Sequence, residues 1–293
     1  MGFIFRVPAT PINTGKGYFG GGLDATAEID GLQFDTEAAI NPTAVLSVAR
    51  GYLAGVNSAS RGYFGGGYTT GALAEIDGIR FDTEAAINPT ATLSVGRDRL
   101  AGANSSTRGY FAGGSYTAQI DGIQFDTEAA INPTAALNIA RSLLAGVNSA
   151  TRGYFGGGNS GSRVTEIDGI RFDTEAAINP TVALSVAREA LAGFNSSARG
   201  YFGGGHTGSM SSEIDGLQFD TEVAINPTAV LSVARQALAG VNSVTRGYFG
   251  GGHSGATQSE IDGIQFDTEA AINPTTTLSV ARYYLAGVQS GSL

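Results

Sequence analysis

One short phrase of residues recurs six times along this chain, and its spacing constrains the fold more than any other feature. In one copy the phrase reads Arg152-Gly153-Tyr154-Phe155-Gly156-Gly157-Gly158. Successive copies of its tyrosine are 45, 47, 44, 47 and 47 residues apart. A period of this length indicates a repeat architecture. The six tyrosines are Tyr18, Tyr63, Tyr110, Tyr154, Tyr201 and Tyr248.

Each copy predicts four short strands. We expect strands at 143–149, 153–157 and 166–172, and a fourth strand with its core at 183–186. No apolar stripe of helical period extends over about ten residues, so no helix is expected. Four strands repeated six times are typical of a propeller. The sequence therefore predicts an all-β, six-bladed β-propeller with four antiparallel strands per blade.

Local residue choices assign the strands to positions in a blade. The Leu-Ala-Gly strand carries little bulk, which suits a strand at a crowded central axis. Asp168-Gly169 interrupts the alternation of the third strand and predicts a bulge, with a tight hairpin as the alternative. Asn179-Pro180 is expected at the start of an outer fourth strand.

The last small-residue strand, Leu285 to Gln289, has no blade after it, so we expect it to pair with residues 17–21 and close the ring.

The repeats divide the chain into a propeller at residues 17–293 and an extended N-terminal arm at residues 1–16. The arm contains Phe3, Ile4 and Phe5. Two interpretations of these apolar residues stay open. They are an assembly arm that docks on another subunit, or a tail that lies along the propeller.

Composition excludes several classes of partner. The formal net charge is −9, and an acidic surface disfavours nucleic acid. No apolar run approaches the roughly 18 residues of a membrane span, and no signal peptide is recognised, so membrane insertion is not expected. The chain has no cysteine and therefore no disulfide, thiolate metal site or thiol nucleophile.

The pattern resembles kelch repeats, on the glycine doublet after an aromatic strand, Ile-Asp in the third strand and an arginine before the next inner strand. It is more similar to the kelch-like propellers of tailed-bacteriophage structural proteins. The shared elements are Ile167-Asp168, Ala187-Arg188 and Arg199-Gly200-Tyr201-Phe202-Gly203-Gly204. The chain lacks the tryptophan of the usual fourth kelch strand. The resemblance implies a propeller fold, a virion component and a virion or extracellular location.

The six copies differ from one another mainly in two places, the loop after the glycine triplet and the residue pair after Ala-Arg. In an antiparallel blade both connections fall on one face. Variation on a rigid scaffold is typical of a recognition surface, although drift of exposed loops after duplication gives the same pattern. The candidate ligand- or partner-binding residues are Tyr52, Tyr68, Arg99, Tyr116, Asn159, Glu189, His206, His253, Tyr283 and Tyr284.

Residues common to all six copies are interpreted as scaffold. The arginine before each inner strand and the aspartate of each third strand are expected to form ion pairs within blades, with a metal or anion site as the alternative. His206 and His253 occupy equivalent loop positions but lack an evident third metal ligand. We therefore predict no catalytic residues, no metal and no cofactor.

These observations lead to one functional hypothesis and its alternatives. We expect a non-enzymatic structural or adhesive component of a larger assembly, such as a phage virion protein that presents a recognition face. The alternative is a lectin-like or peptide-binding module. The expected partners are other protein subunits of an assembly or a surface glycan. Copies this similar are consistent with either an engineered or a recently amplified propeller.

Overall fold

The computed structural model describes residues 15–23 and 26–291, and these form six antiparallel sheets of four strands each. The predicted all-β, six-bladed β-propeller is confirmed. The described residues contain no helix, and thus none long and apolar enough to cross a membrane. The predicted arm lies outside the described residues except for its last two positions, and Lys16 there already begins the first strand.

Six inner strands surround the axis, and each contacts the inner strand of the next blade. Each inner strand contains a glycine because the neighbouring backbone leaves no room for a side chain. A Cβ added to Gly102 would lie 2.0 Å from the carbonyl oxygen of Gly55, and one added to Gly146 would lie 2.0 Å from that of Gly102. The inner strands are β24 (Ala286–Gln289), β4 (Ala54–Asn57), β8 (Ala101–Asn104), β12 (Ala145–Asn148), β16 (Ala192–Asn195) and β20 (Ala239–Asn242).

The second and third strands form the body of each blade. The second strands are β1 (Lys16–Gly20), β5 (Arg61–Gly65), β9 (Arg108–Ala112), β13 (Arg152–Gly156), β17 (Arg199–Gly203) and β21 (Arg246–Gly250). The third strands are β2 (Ile29–Gln33), β6 (Ile76–Arg80), β10 (Ile120–Gln124), β14 (Ile167–Arg171), β18 (Ile214–Gln218) and β22 (Ile261–Gln265).

The outer strands are β3 (Ala39–Ile40), β7 (Ala86–Ile87), β11 (Ala130–Ile131), β15 (Ala177–Ile178), β19 (Val223–Ile225) and β23 (Ala271–Ile272). Blade 1 contains β24 and β1–β3, and blades 2 to 6 each take the next four strands in chain order. The pairing of β24 with β1, from Gly17↔Gln289 to Gly20↔Ala286, confirms the predicted closure of the ring.

Two local predictions were wrong. The fourth strand of blade 4 is β15, which precedes Asn179-Pro180, and the predicted segment 183–186 contributes only an isolated bridge between Ala183 and Glu166. The ladder of β13 and β14 passes through Asp168-Gly169 without a bulge or hairpin. Glycine is needed there for close packing, because a Cβ at Gly169 would lie 2.7 Å from Cγ1 of Ile178.

Neighbouring blades are joined by one contact that repeats around the ring. Tyr154 of blade 4 stacks on Phe219 of blade 5, with ring centroids 5.6 Å apart, and its hydroxyl donates to Glu222 at 2.9 Å. Arg152 pairs with the same carboxylate at 2.8 Å. Glu222 has a φ of 53°, in the left-handed region where glycine is the common residue. Glutamate rather than glycine occupies this turn because its carboxylate bonds to Tyr154 and Arg152 of the neighbouring blade.

Each blade also contains a buried ion pair. Arg188 has no exposed side-chain surface, pairs with Asp215 at 2.8 Å and donates to the carbonyl of Phe202 at 2.9 Å. Asp215 also accepts the backbone N–H of Ser185, which lies with Arg188 in the connection between β15 and β16. The predicted ion pairs are thus confirmed in all six blades, at 2.5–2.8 Å, and they are Arg50–Asp77, Arg97–Asp121, Arg141–Asp168, Arg188–Asp215, Arg235–Asp262 and Arg282–Asp30.

Candidate binding face

The two variable segments of each repeat meet on one face, which we call the upper face. The residue after the buried arginine pairs with the residue after the glycine triplet, as in the bridge between Glu189 and His206. The N–H of His206 donates to the carbonyl of Glu189 at 2.8 Å. Equivalent bridges are Gly51↔Tyr68, Ser142↔Asn159 and Gln236↔His253. Backbone pairing therefore holds positions whose side chains differ from blade to blade.

A closed ring of backbone hydrogen bonds surrounds the upper end of the axial channel. The N–H of Arg99 donates to the carbonyl of Tyr52, and the N–H of Tyr52 donates to the carbonyl of Tyr284. All six bonds measure 2.7–2.9 Å, and all six residues have φ between 54° and 60°. Because the bonds use only main-chain atoms, they place no demand on the side chains. The ring residues are Tyr52, Arg99, Leu143, Ala190, Ala237 and Tyr284.

Aromatic side chains fill one side of this opening. The rings of Tyr52 and Tyr284 lie 3.9 Å apart between centroids, and Tyr283 lies 5.3 Å from Tyr284. His253 extends the row, 5.3 Å from Tyr283. At the other end the guanidinium carbon of Arg99 lies 4.5 Å above the ring of Tyr52. We call these five residues the aromatic crescent, and a cavity of about 120 Å³ lies at this end of the channel.

Charge within the aromatic crescent is partly neutralised. Arg99 is paired with the buried Asp98 at 2.7 Å, and about a third of its side chain is exposed. Burial raises the pKa of Tyr284, and the neighbouring Tyr52 hydroxyl acts in the same direction. The Tyr284 hydroxyl therefore stays protonated at neutral pH and can both donate and accept hydrogen bonds.

A second cluster contains three candidate residues, Asn159, Glu189 and His206. Arg163, which was not among the candidates, contacts two of them. Glu189 accepts from Asn159 at 2.7 Å and from Nε of Arg163 at 3.1 Å. A terminal nitrogen of Arg163 lies 2.8 Å from Nδ1 of His206. Arg163 is part of a variable loop, so its position was visible in the sequence, but its contact with the next blade was not.

The remaining predicted residues stand apart from both clusters. Tyr68 is 39% exposed and Tyr116 is 58% exposed, so both present their rings to solvent. His206 and His253 belong to different clusters. Within the described residues no group of three or more His, Cys, Asp or Glu side chains is arranged to hold a metal ion.

At the opposite, lower end of the channel, side-chain oxygens accept hydrogen bonds from the backbone of neighbouring blades. The N–H of Asn148 donates to Oδ1 of Asn195 at 3.2 Å, and the N–H of Asn195 donates to Oδ1 of Asn242 at 3.3 Å. At the sixth position Gln289 instead donates through Nε2 to Asn242. These residues were not among the predicted site residues, although the position is asparagine in five copies. The ring residues are Asn57, Asn104, Asn148, Asn195, Asn242 and Gln289.

Comparison with known proteins assigns no family. No protein-family model matches the chain, and no curated protein is similar to it.

Proposed function

We propose that this chain is a non-enzymatic structural or adhesive component of a larger assembly, and that its upper face recognises a partner. The observation that carries the proposal is the aromatic crescent. Tyr52, Arg99 and Tyr284 occupy the same backbone positions as Ala190 and Ala237, which complete the same hydrogen-bond ring. Because alanine satisfies the scaffold at these positions, the large side chains serve another purpose.

The composition of the crescent favours a binding role. Tyrosine and arginine are the residues that most often dominate the energy of protein interfaces. An arginine held over an aromatic ring is pre-ordered, so less conformational entropy is lost when it binds. The small cavity beside the crescent favours contact with a protruding group of a partner over enclosure of a large ligand.

Valines at one repeated position add exposed apolar surface to the propeller. Each valine is located two residues before a buried arginine and is followed by a small residue. Five of the six repeats have this valine, which is 39–59% exposed, and the sixth repeat has Ile139 at the same position. Exposed apolar groups near a polar rim are typical of protein contact surfaces. The five are Val48, Val95, Val186, Val233 and Val280.

The virion assignment rests on the kelch-like pattern of the repeats. In that setting residues 1–16 would attach the propeller to other subunits and the upper face would point outward. Cryo-electron microscopy of the assembly from the source organism is the direct test. Contact of Phe3, Ile4 and Phe5 with a neighbouring subunit supports the proposal. A free monomer that is absent from purified particles contradicts it.

A lectin-like or peptide-binding module is the second candidate, and the pairing of Tyr52 with Tyr284 is the observation that favours it. Tyrosine rings stack on the apolar faces of sugars and on peptide side chains, while Arg99 supplies hydrogen-bond donors. The test is a screen of glycans and peptides with the wild type and with the double variant Tyr52→Ala, Tyr284→Ala. Any hit that is genuine should be lost in the double variant and kept in the distant variant Val223→Ala.

A further inference from the structure

The lower end of the channel opens into a cavity that the function proposed above does not use. Its volume is about 370 Å³. This is within the range of roughly 300–1,000 Å³ that small-molecule sites occupy and well above the roughly 30 Å³ share of one water molecule. The cavity lies against blades 3 to 6. Its lining consists of Ser106, Asn148, Ser149, Ala150, Asn195, Ser196, Ser197, Asn242, Ser243 and Val244.

The amide groups in this cavity have a fixed orientation. Oδ1 of Asn148 accepts the N–H of Asn104 at 3.3 Å, and Oδ1 of Asn195 accepts the N–H of Asn148 at 3.2 Å. A backbone N–H only donates, so the side-chain atom facing it must be the oxygen. Each Nδ2 is therefore directed away from that bond. Neither Nδ2 donates to any residue within 15–23 or 26–291.

The serine hydroxyls beside these amides are already engaged. Ser196 accepts the N–H groups of Ala198 and Arg199 at 3.3 and 3.0 Å and lies 3.4 Å from the Arg199 carbonyl, to which it donates. Ser149 makes the same set of contacts with residues 151 and 152. Both lone pairs and the proton of each hydroxyl are thus used. Among the described residues that line the cavity, Nδ2 of Asn148 and Nδ2 of Asn195 are therefore donors that remain available to a ligand.

Among the described residues, no charged side chain lines the cavity. The nearest arginines along the chain are paired with carboxylates of the next blade, Arg152 with Glu222 at 2.8 Å and Arg199 with Glu269 at 2.9 Å. An anion here would therefore meet amide donors without a competing acidic group on the wall. Hydrogen bonds to an ionised acceptor are about twice as strong as neutral ones.

We propose that the lower cavity binds a carboxylate group. Its two oxygens accept from Nδ2 of Asn148 and from Nδ2 of Asn195, which belong to adjacent blades. The methyl groups of Ala150 and Val244 contact the apolar part of the ligand, and the exposed hydroxyls of Ser106 and Ser197 lie at the rim. The carboxylate belongs either to a small organic acid or to the C-terminus of a peptide.

The test uses the full chain and titrates three probes at constant ionic strength, because the net charge of −9 makes anion binding sensitive to salt. The probes are acetate, a tripeptide with a free C-terminus and the same tripeptide as its amide. Side-chain amide resonances of Asn148 and Asn195 are followed by NMR. We expect saturable shifts with acetate and the free tripeptide only, and whichever of the two binds more tightly identifies the source of the carboxylate.

The matched variant is Asn195→Asp, which keeps an oxygen for the N–H of Asn148 and replaces the donor with an acceptor. We expect it to weaken carboxylate binding at least about tenfold, which corresponds to about 1.4 kcal/mol. Asn179→Asp, at an exposed position that follows the outer strand β15, makes the same chemical change and should bind as the wild type does. Asn148→Asp serves as a second lower-face variant in case Asn195→Asp does not fold.

Three results would overturn the inference. The first is the absence of saturable shifts with acetate and with the free tripeptide. The second is equal binding of the free and amidated tripeptides. The third is undiminished binding in a folded Asn195→Asp or Asn148→Asp variant.

Discussion

At both ends of the axial channel, hydrogen bonds link neighbouring inner strands, but the acceptor atoms differ. This difference explains which residues vary from blade to blade. At each end a backbone N–H of one blade donates to its neighbour. At the upper end the acceptor is a backbone carbonyl, as in the bond from Arg99 to Tyr52. At the lower end it is a side-chain oxygen, as in the bond from Asn57 to Asn104.

Side-chain identity follows from this choice of acceptor. The upper ring accommodates tyrosine, arginine, leucine and alanine, because every residue has a backbone carbonyl. The lower ring is asparagine in five blades, and the one replacement, Gln289, changes the bonding pattern locally. The upper end is thus free to evolve a binding surface, whereas the lower end repeats one chemical group around the axis.

The largest expected effect comes from the glycines between the two ends. In Gly146→Ala the new Cβ would lie 2.0 Å from the Gly102 carbonyl, and backbone on both sides must move. We expect a loss of more than about 3 kcal/mol in the free energy of unfolding, measured by chemical denaturation.

Gly71→Ala is the control for this substitution. Nothing lies within 4 Å of an added Cβ at Gly71, so the free energy of unfolding should change by less than about 0.5 kcal/mol. Equal stability of the two variants would show that the inner strands are less tightly packed than described.

The next prediction compares the stability cost of an alanine substitution in the lower ring with that of one in the upper ring. Asn104→Ala removes the acceptor of the buried Asn57 N–H, and we expect a loss of about 1–3 kcal/mol in the free energy of unfolding. The corresponding upper-ring change, Leu143→Ala, keeps the hydrogen bond to Arg99 and should cost less. If Leu143→Ala proved the more damaging of the two, the contrast between backbone and side-chain acceptors would be wrong.

How far the sequence predicts this molecule depends on whether an interaction repeats. The sequence predicted that repeated arginines and aspartates form ion pairs, because both recur in every copy, and Arg188 pairs with Asp215. The predicted strand at 183–186 was wrong, because β15 ends before Asn179-Pro180 and the segment after the proline forms only isolated bridges. The bulge predicted at Asp168-Gly169 was wrong, because Gly169 is needed for close packing against the outer strand.

Contacts between blades account for most of what the sequence did not reveal. Arg163 reaches Glu189 and His206, which lie 26 and 43 residues away along the chain. The aromatic crescent brings together Tyr52 and Tyr284 from opposite ends of the sequence through ring closure. The candidate residues could therefore be named from their variation, but their grouping required the closed ring.

A smaller effect is expected at alkaline pH, where ionisation of the tyrosines that join neighbouring blades should lower the free energy of unfolding. Burial, as the main cause, raises the pKa of Tyr63 to about 12, and Glu128 adds to the shift while Arg61 opposes it. Because the folded-state pKa lies above the usual value of about 10, this tyrosine stabilises the fold fully below pH 10. That contribution is lost as the pH rises from 10 towards 12.

Tyr63→Phe isolates this contribution. Denaturation of the wild type and the variant should give a stability difference that is constant near pH 8 and shrinks between pH 10 and 12. The constant difference at pH 8 reports the lost hydrogen bond to Glu128 and serves as the internal control. A difference that widens at high pH would reverse the sign expected from the raised pKa.

The smallest expected effect concerns the backbone of the upper ring itself. Ala190 has a φ of 54°, which is strained for a residue with a Cβ and unstrained for glycine. Ala190→Gly should relieve that strain while keeping both hydrogen bonds of the ring, although glycine increases the entropy of the unfolded chain. We expect a net gain of about 0.5 kcal/mol.

The paired variant is Ala192→Gly, two residues along in β16, where the chain is extended and the alanine is buried. Glycine there should destabilise by about 0.5–1 kcal/mol. Opposite signs at Ala190 and Ala192 would show that the upper ring needs only its main-chain geometry. A loss at both positions would mean that the Ala190 methyl group is itself part of the scaffold. The large side chains at the equivalent positions would then also contribute to the scaffold, and their size would no longer indicate a binding role.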